Sequence, residues 1–474
     1  MTLEKPYFRK TKIVCTIGPS SWDETTMKKL AKAGMDVVRL NMSHGSHEEK
    51  LQQIKFARSI SEELQKPMAV FADLQGPKLR LGIIDGIKRI TTGETLEISI
   101  TPEDQELPIQ FDLSPYVKKG DRLFLNDGLI EVLITDVRGK TIVGRAQNSG
   151  VVSSNKGVNV PDTNLGAASF TSKDKADAVF ALKHNVDYIA LSFVQTVDDI
   201  KPVRALIKEH NPKVKIIVKI EKKEAIENIE EIVKEADAVM VARGDLAIET
   251  ENAQVPIYQE KIINLCRQHR KPVIVATQML ESMTENPRPT RAEISDVANA
   301  VLDQVDAVML SAESANGKYP VEAVSTMKNV IDSVESHPDY HHQIKIHWAD
   351  LEKEDLEFMA IASSAAHLGE RLGVKAIVTG TVTGHTAKTV SAFRPEAKII
   401  AVSHDETTRN QLALVWGVEP LIVKATVNFN TFFEHVMEEI RTGNGLRKGD
   451  KVVMIVGTTA GVSGTTNTIK IATV

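Results

Sequence analysis

The sequence predicts an α/β fold: a (β/α)8 TIM barrel with an inserted small β-barrel lid domain, followed by a C-terminal doubly wound α/β domain. Three observations carry this. Eight short apolar runs end in polar residues, and seven of them lead directly into helical patterns. Between the third and fourth runs that rhythm lapses into short alternating strands punctuated by turn dipeptides. Beyond a polar segment after Ser336, strands and helices alternate again on a smaller scale.

The runs are Lys12 to Gly18, Val37 to Ser43, Ala69 to Asp73, Tyr188 to Phe193, Lys215 to Glu221, Ala238 to Asp245, Val273 to Gln278 and Ala307 to Glu313. Helical spacing of apolar residues separates them, as in Thr25 to Ala33, Val203 to Glu209 and Glu224 to Glu235. The polar residues that close the runs are Thr16, Arg39, Asn41, Ser43, Asp73, Ser192, Lys219, Glu221, Arg243, Asp245, Thr277, Ser311 and Glu313. One such residue alone reads as a cap or a surface ion pair. Gathered on the C-terminal face of a barrel, where enzymes of this fold do their chemistry, they read as a site.

The insertion spans 77–160, with strands such as Thr95 to Ile100 and Arg122 to Leu125 and turns at Asp85-Gly86, Lys119-Gly120 and Asp127-Gly128. Its place above the barrel mouth suits a lid. The third region opens with a helical pattern from Ala360 to Leu372. Strands follow at Ala376 to Gly380, Lys398 to Ser403, Pro420 to Val423, Lys451 to Gly457 and Thr468 to Val474. The expected division is therefore 1–76 with 161–337 as barrel, 77–160 as lid and 338–474 as C-terminal domain. The His341-His342 pair reads as solvated linker rather than a metal site.

Composition excludes several classes. Apolar residues make up 42% and charged residues 26%, as in ordinary globular proteins. A net charge of −5 gives no general attraction to nucleic acid or anionic membrane. Cys15 and Cys266 are the only cysteines, so neither a disulfide framework nor a cysteine metal cluster is expected. The first residues lack an apolar signal region, and no apolar run approaches membrane-spanning length, so a cytoplasmic protein is expected.

Lys219 and Glu221 carry the chemistry. Alternation along a strand puts both on one face, and Asp245 ends the next strand over. A cation beside a carboxylate, with a second carboxylate near, suits a site that holds a divalent metal and a phosphoryl group together. Farther on, Thr381, Thr383, Gly384 and Thr386 place hydroxyls and a glycine at a helix start, a natural phosphate cradle.

The chain closely resembles the pyruvate kinase family. The matching segments are Arg39 to Gly45, Asp73 to Lys78, Asn155 to Asn159, Lys219-Ile220-Glu221, Met240 to Asp245, Ala276 to Leu280, Pro289 to Glu293 and Val308 to Pro320. They run in order through nearly the whole chain, which makes the resemblance specific. It implies phosphoryl transfer from phosphoenolpyruvate to ADP, giving pyruvate and ATP, in a homotetramer. It implies that Glu221 and Asp245 bind Mg2+ or Mn2+, that Lys219 and Arg39 contact the transferring phosphoryl group, and that Gly244 and Asp245 receive the substrate carboxylate. Thr277 matches the residue near the carbon that is protonated, with Ser311 and Glu313 as a proton relay. Asn41, Ser43, Asp73 and Leu74 match the monovalent-cation pocket, and His44, Arg80 and Lys156 match positions around the nucleotide phosphates. The loop from Thr381 to Thr386 matches the effector loop, so a phosphorylated allosteric effector is expected, with AMP or a sugar monophosphate favoured.

Some positions depart from the family pattern. Ser311-Ala312-Glu313-Ser314 has alanine and serine where many members carry glycine and threonine, Ala247 replaces a common glycine, and Gln195-Thr196 stands where an Arg-Lys pair is frequent. Lys78 stands where members that require K+ usually carry glutamate, and Leu74 replaces a threonine. A tethered ammonium can take over the ion's field, so K+ is expected not to be required. Two other readings are a metal-dependent pyruvate-enolate C–C lyase or aldolase, and a catalytically silent ligand-sensing homologue. The full run of motifs weighs against both.

Overall fold

In the computed structural model, residues 8–102, 106–163, 169–337, 340, 353–424, 429–443, 446–457 and 466–474 are described. The His341-His342 pair lies outside them. Eight parallel strands close into a barrel: Lys12–Ile17, Val37–Asn41, Ala69–Asp73, Tyr188–Leu191, Lys215–Ile220, Ala238–Ala242, Val273–Ala276 and Ala307–Leu310, the last pairing with the first. All eight expected runs form these strands. Most strands stop short of the polar residues that close the run, so those side chains sit on turns at the barrel rim.

Two expectations need correction. The run through Asp245 is not strand to its end: Arg243–Glu249 is a short helix that starts where the apolar residues stop at Ala242. The pattern from Glu224 to Glu235 is two helices, Lys223–Glu227 and Ile229–Glu235. Asn228 breaks it, its side-chain amide donating to the carbonyls of Glu224 and Gln195.

Alternation along the strands divides two cores. Val14, Phe71, Ala190, Ile217, Met240, Ile274 and Met309 pack together inside the barrel, while Ile13, Cys15, Val70, Ile216, Val239 and Val275 belong to the core shared with the surrounding helices. Cys15 and Cys266 are fully buried, and burial pushes both thiols up, away from thiolate chemistry.

The insertion is a seven-stranded curled sheet with a separate two-stranded pair. Its edge strands Leu79–Arg80 and Leu107–Pro108 meet through a Leu81–Ile109 bridge, so the curl nearly closes on itself. The three expected turns are present, with Gly86, Gly120 and Gly128 all at positive φ.

The C-terminal sheet has the order Val418–Ile422, Lys398–Ser403, Ala376–Gly380, Lys451–Gly457, Thr466–Thr473, the last strand antiparallel. Both faces are covered. Ile377, Ile399 and Val453 pack on one side, and Val378, Ile400 and Val452 on the other. Among the described residues no helix is long and apolar enough to cross a membrane.

This C-terminal unit also floors the barrel. Ala413 and Leu414 join the barrel's inner core, and the Gln411 amide donates to the carbonyls of Asp187 and Lys213, which precede the fourth and fifth strands. Trp416 is fully buried, and its backbone N–H donates to Asp306. Asp306 in turn pairs with Arg394 at 2.9 Å, both side chains almost inaccessible. Arg394→Met should leave Asp306 as a buried carboxylate without its cation and destabilise the protein by about 3 kcal/mol. Urea unfolding measures this; a change under about 0.5 kcal/mol would show that the floor does not depend on the pair.

Candidate active site

Every barrel strand delivers a polar group to the C-terminal rim, and an ion network organises the centre. Lys219, near the end of the fifth strand, lies 2.9 Å from Glu221 Oε1 and 3.2 Å from Asp73 Oδ1, and it donates to Ser192 Oγ at 2.8 Å. Arg39, from the second strand, donates through Nε to Asp73 Oδ2 at 2.7 Å and through Nη1 to Thr16 Oγ1 at 2.9 Å. Glu221 Oε2 accepts from the backbone N–H of Phe193 at 2.7 Å. The sequence put Lys219 and Glu221 side by side; barrel closure brings Ser192 from the adjoining strand, and Asp73 and Arg39 from the two strands beyond it, to them.

Electrostatics follow from burial. Burial alone would depress the Lys219 pKa, but Asp73 and Glu221 outweigh it and hold the ammonium well above its ordinary value. Asp73 is likewise buried, and Lys219 and Arg39 overcome that to keep its carboxyl below the usual range. Glu221 goes the other way. Burial raises its pKa, and although Lys219 opposes this, the negative charge of Asp245 adds to it. Glu221 and Asp245 thus present hard oxygens whose mutual repulsion a divalent cation relieves, which is the chemistry of a Mg2+ or Mn2+ donor pair. Among the described residues no group of three or more His, Cys, Asp and Glu side chains is arranged to hold a metal.

Thr277 sits on a strained turn. Its φ of 72° and that of Gln278 at 53° are left-handed, a conformation a β-branched residue rarely adopts. Arg243 clamps the turn, donating to the Thr277 carbonyl at 2.7 Å while forking onto Asp296 at 2.6 and 2.7 Å. The Thr277 hydroxyl donates to the Ala276 carbonyl and accepts from the Gly244 N–H at 2.8 Å. The Gly244 N–H is therefore already engaged by Thr277. Glu313 is fully buried, its carboxylate accepting from the N–H groups of Leu280 and Ser311. That occupies it in holding the turn, whereas the buried Ser311 hydroxyl has no hydrogen-bond partner among the described residues.

Around this centre, Asn41 Oδ1 accepts from the Ser43 N–H, and the Leu74 carbonyl accepts from Ser192. Lys78 pairs with Asp127 of the lid at 2.8 Å. Arg80 donates to the Asn155 carbonyl, beside the half-buried Lys156. His44 is exposed, with its pKa lowered by partial burial and then by Arg80, Lys50, Lys78 and Arg39, a concentration of positive charge that suits an anion. In the C-terminal unit, Gly384 is left-handed at the start of the helix His385–Ala392. Thr383 is exposed, Thr381 and Thr386 are buried, and Thr386 bonds to the Thr466 hydroxyl at 3.2 Å.

Sequence reasoning missed Lys222, Glu249, Asn159 and Asp296 as partners of the site. Lys222 follows Glu221 directly and Asn159 ends a quoted segment, so adjacency was a signal for two of them. Glu249 and Asp296 carry no local mark.

A barrel rim with a fixed ammonium, a guanidinium and two metal-competent carboxylates under a lid defines a metal-assisted phosphoryl-transfer enzyme. A family model described as pyruvate kinase, barrel domain, matches residues 8–324, and one described as pyruvate kinase, alpha/beta domain, matches 359–472. Pyruvate kinases of Staphylococcus aureus strains MRSA252, USA300 and COL are each 42% identical over 472 residues, covering 98% of this chain and 80% of theirs. The chain belongs to the pyruvate kinase family. Its reaction is phosphoryl transfer from phosphoenolpyruvate to ADP, giving pyruvate and ATP with a divalent metal. The lyase and silent-homologue readings gain no support from these relatives.

Proposed function

We propose that Lys219 and Arg39 stabilise the phosphoryl group in flight, and that Glu221 and Asp245 hold Mg2+ or Mn2+. The single observation behind this is the buried network in which Lys219 is kept charged by Asp73, Glu221 and Ser192. A bound divalent ion would supply charge neutralisation on phosphoryl and enolate oxygens. The protein's part is a cation held charged and in place by its three partners. Of the three contacts Lys219 makes, the one to Asp73, at 3.2 Å, is the longest and the readiest to exchange for a phosphoryl oxygen. The phosphoenolpyruvate carboxylate lies against Gly244 and Asp245, taking the Gly244 N–H over from the Thr277 hydroxyl that accepts from it in this structure. Thr277 orients the proton delivered to the enolate carbon, with water and Ser311 as the relay and Glu313 fixing the turn. His44, Arg80 and Lys156 receive the nucleotide phosphates.

Lys219→Met should fold, bind phosphoenolpyruvate, and lose roughly 10^3-fold or more in kcat. Exchange of the pyruvate methyl protons, a step after transfer, should survive better than ATP formation. Equal loss of both partial reactions in folded protein would refute the assignment.

The same proposal extends to the monovalent ion. Lys78 carries its charge to Asp127 on the lid and contributes to the positive field at His44, a task K+ would otherwise share. The unmodified enzyme should run without K+, and Lys78→Glu should become activated by it. Turnover with tetramethylammonium replacing K+ decides: a drop of about tenfold or more in the unmodified protein sinks the idea.

Regulation and assembly complete the reading. The division into 1–76 with 161–337, 77–160 and 338–474 is supported by where the sheets begin and end. A cytoplasmic location is the natural one for this substrate pair. A homotetramer is supported by the exposed Ile257 and Leu302 on barrel helices, and the loop at Thr381, Thr383, Gly384 and Thr386 takes a phosphorylated effector, AMP or a sugar monophosphate. Thr383→Ala with Thr386→Ala should abolish activation by those compounds and leave unstimulated turnover and tetrameric sedimentation unchanged. Intact activation in that variant relocates the effector site, and monomeric sedimentation of the unmodified protein removes the tetramer.

A further inference from the structure

Glu249 is buried, and both its oxygens are committed. Oε1 accepts from the Asn159 amide at 2.8 Å, and Oε2 pairs with Lys222 at 2.8 Å. Asn159 ends the lid strand Gly157–Asn159, where the chain returns to the barrel. Lys222 is the neighbour of Glu221. Glu249 itself ends the seven-residue helix Arg243–Glu249 that carries Asp245. The same helix meets the lid a second time: a Cβ on Gly128, in the lid turn that Lys78 grips through Asp127, would lie 2.8 Å from Ile248. One short helix therefore carries a metal carboxylate at its start and the lid's contacts at its end.

We propose that Glu249 is a positioning residue that ties the lid hinge to the two divalent-ion carboxylates, so that ion loading and lid closure act as one event. The inference rests on the reading that Glu221 and Asp245 hold the ion. Swinging the lid open separates Asn159 from Glu249 and leaves a buried carboxylate oxygen without its donor. Glu249 then turns toward Lys222 alone and shifts the flanks of both metal carboxylates. With Glu221 and Asp245 holding an ion, the helix and Lys222 would stay in place, and Glu249 would keep the acceptor that Asn159 needs.

The test uses the full chain with Mn2+ alone as probe. Electron paramagnetic resonance titration reads affinity, and hydrogen exchange reads the amides of 157–160. In the unmodified protein Mn2+ should slow that exchange. Glu249→Ala should weaken Mn2+ binding roughly tenfold and abolish the slowing. Asn159→Ala, which keeps the Lys222 pair, should hold Mn2+ nearly as well yet lose the slowing. A Glu249→Ala protein with unchanged Mn2+ affinity and slowing overturns the proposal; should that variant not fold, retained slowing in Asn159→Ala overturns it. Asp245→Asn separates the two levels: loss of Mn2+ there with an unaffected Glu249→Ala defeats the coupling alone, and unaffected binding in Asp245→Asn defeats the metal assignment as well.

Discussion

Three carboxylates and two cations meet at the barrel rim, and the position of Lys219 among them governs the rest. Asp73 and Glu221 are both almost inaccessible, and one ammonium serves both. Burying such a cluster is costly in desolvation and gains little stability over an apolar core. Its use is electrostatic. With Asp245 included, three carboxylates and two cations leave one net negative charge, which a divalent ion held there would turn into one net positive charge, suited to an anion. Two of its members are fixed from behind, Glu221 by the Phe193 N–H and Arg39 by Thr16.

Strain near this network is local and matched by clamps. Phe193, Thr277 and Gln278 all adopt left-handed backbone conformations immediately after barrel strands. In each case the turn aims a group at the rim: the Phe193 N–H at Glu221, and the Thr277 hydroxyl at the Gly244 N–H. The bidentate pair of Arg243 with Asp296 holds the second turn from outside.

Much of this was legible in the sequence because it depends on period. Alternation along a strand fixes which residues share a face, so the pattern alone pairs Lys219 with Glu221. The apolar runs marked all eight barrel strands, and the glycines marked the lid turns. What period does not encode is where a strand yields to a helix. Apolar Ala238 to Ala242 continues smoothly into Arg243-Gly244-Asp245, and only tertiary packing turns the latter into a helical start. Nor does it encode contacts between distant segments. Glu249 is ninety residues from Asn159, and nothing in its neighbourhood distinguishes it from a surface glutamate. Glu313 shows the opposite limit: its place at a strand end suggested chemistry, while burial and two backbone donors show it bracing a turn.

The floor of the barrel has a consequence for synthesis. The eighth strand ends at Leu310, but Ala413 and Leu414, which seal the inner core from below, emerge from the ribosome roughly a hundred residues later. Until then the nascent barrel has an open base, its inner apolar core short of two members. Closure of the barrel is thereby deferred until the C-terminal sheet is being made, and a chain that stops after Leu310 holds all eight barrel strands without the plug that closes the cylinder they form.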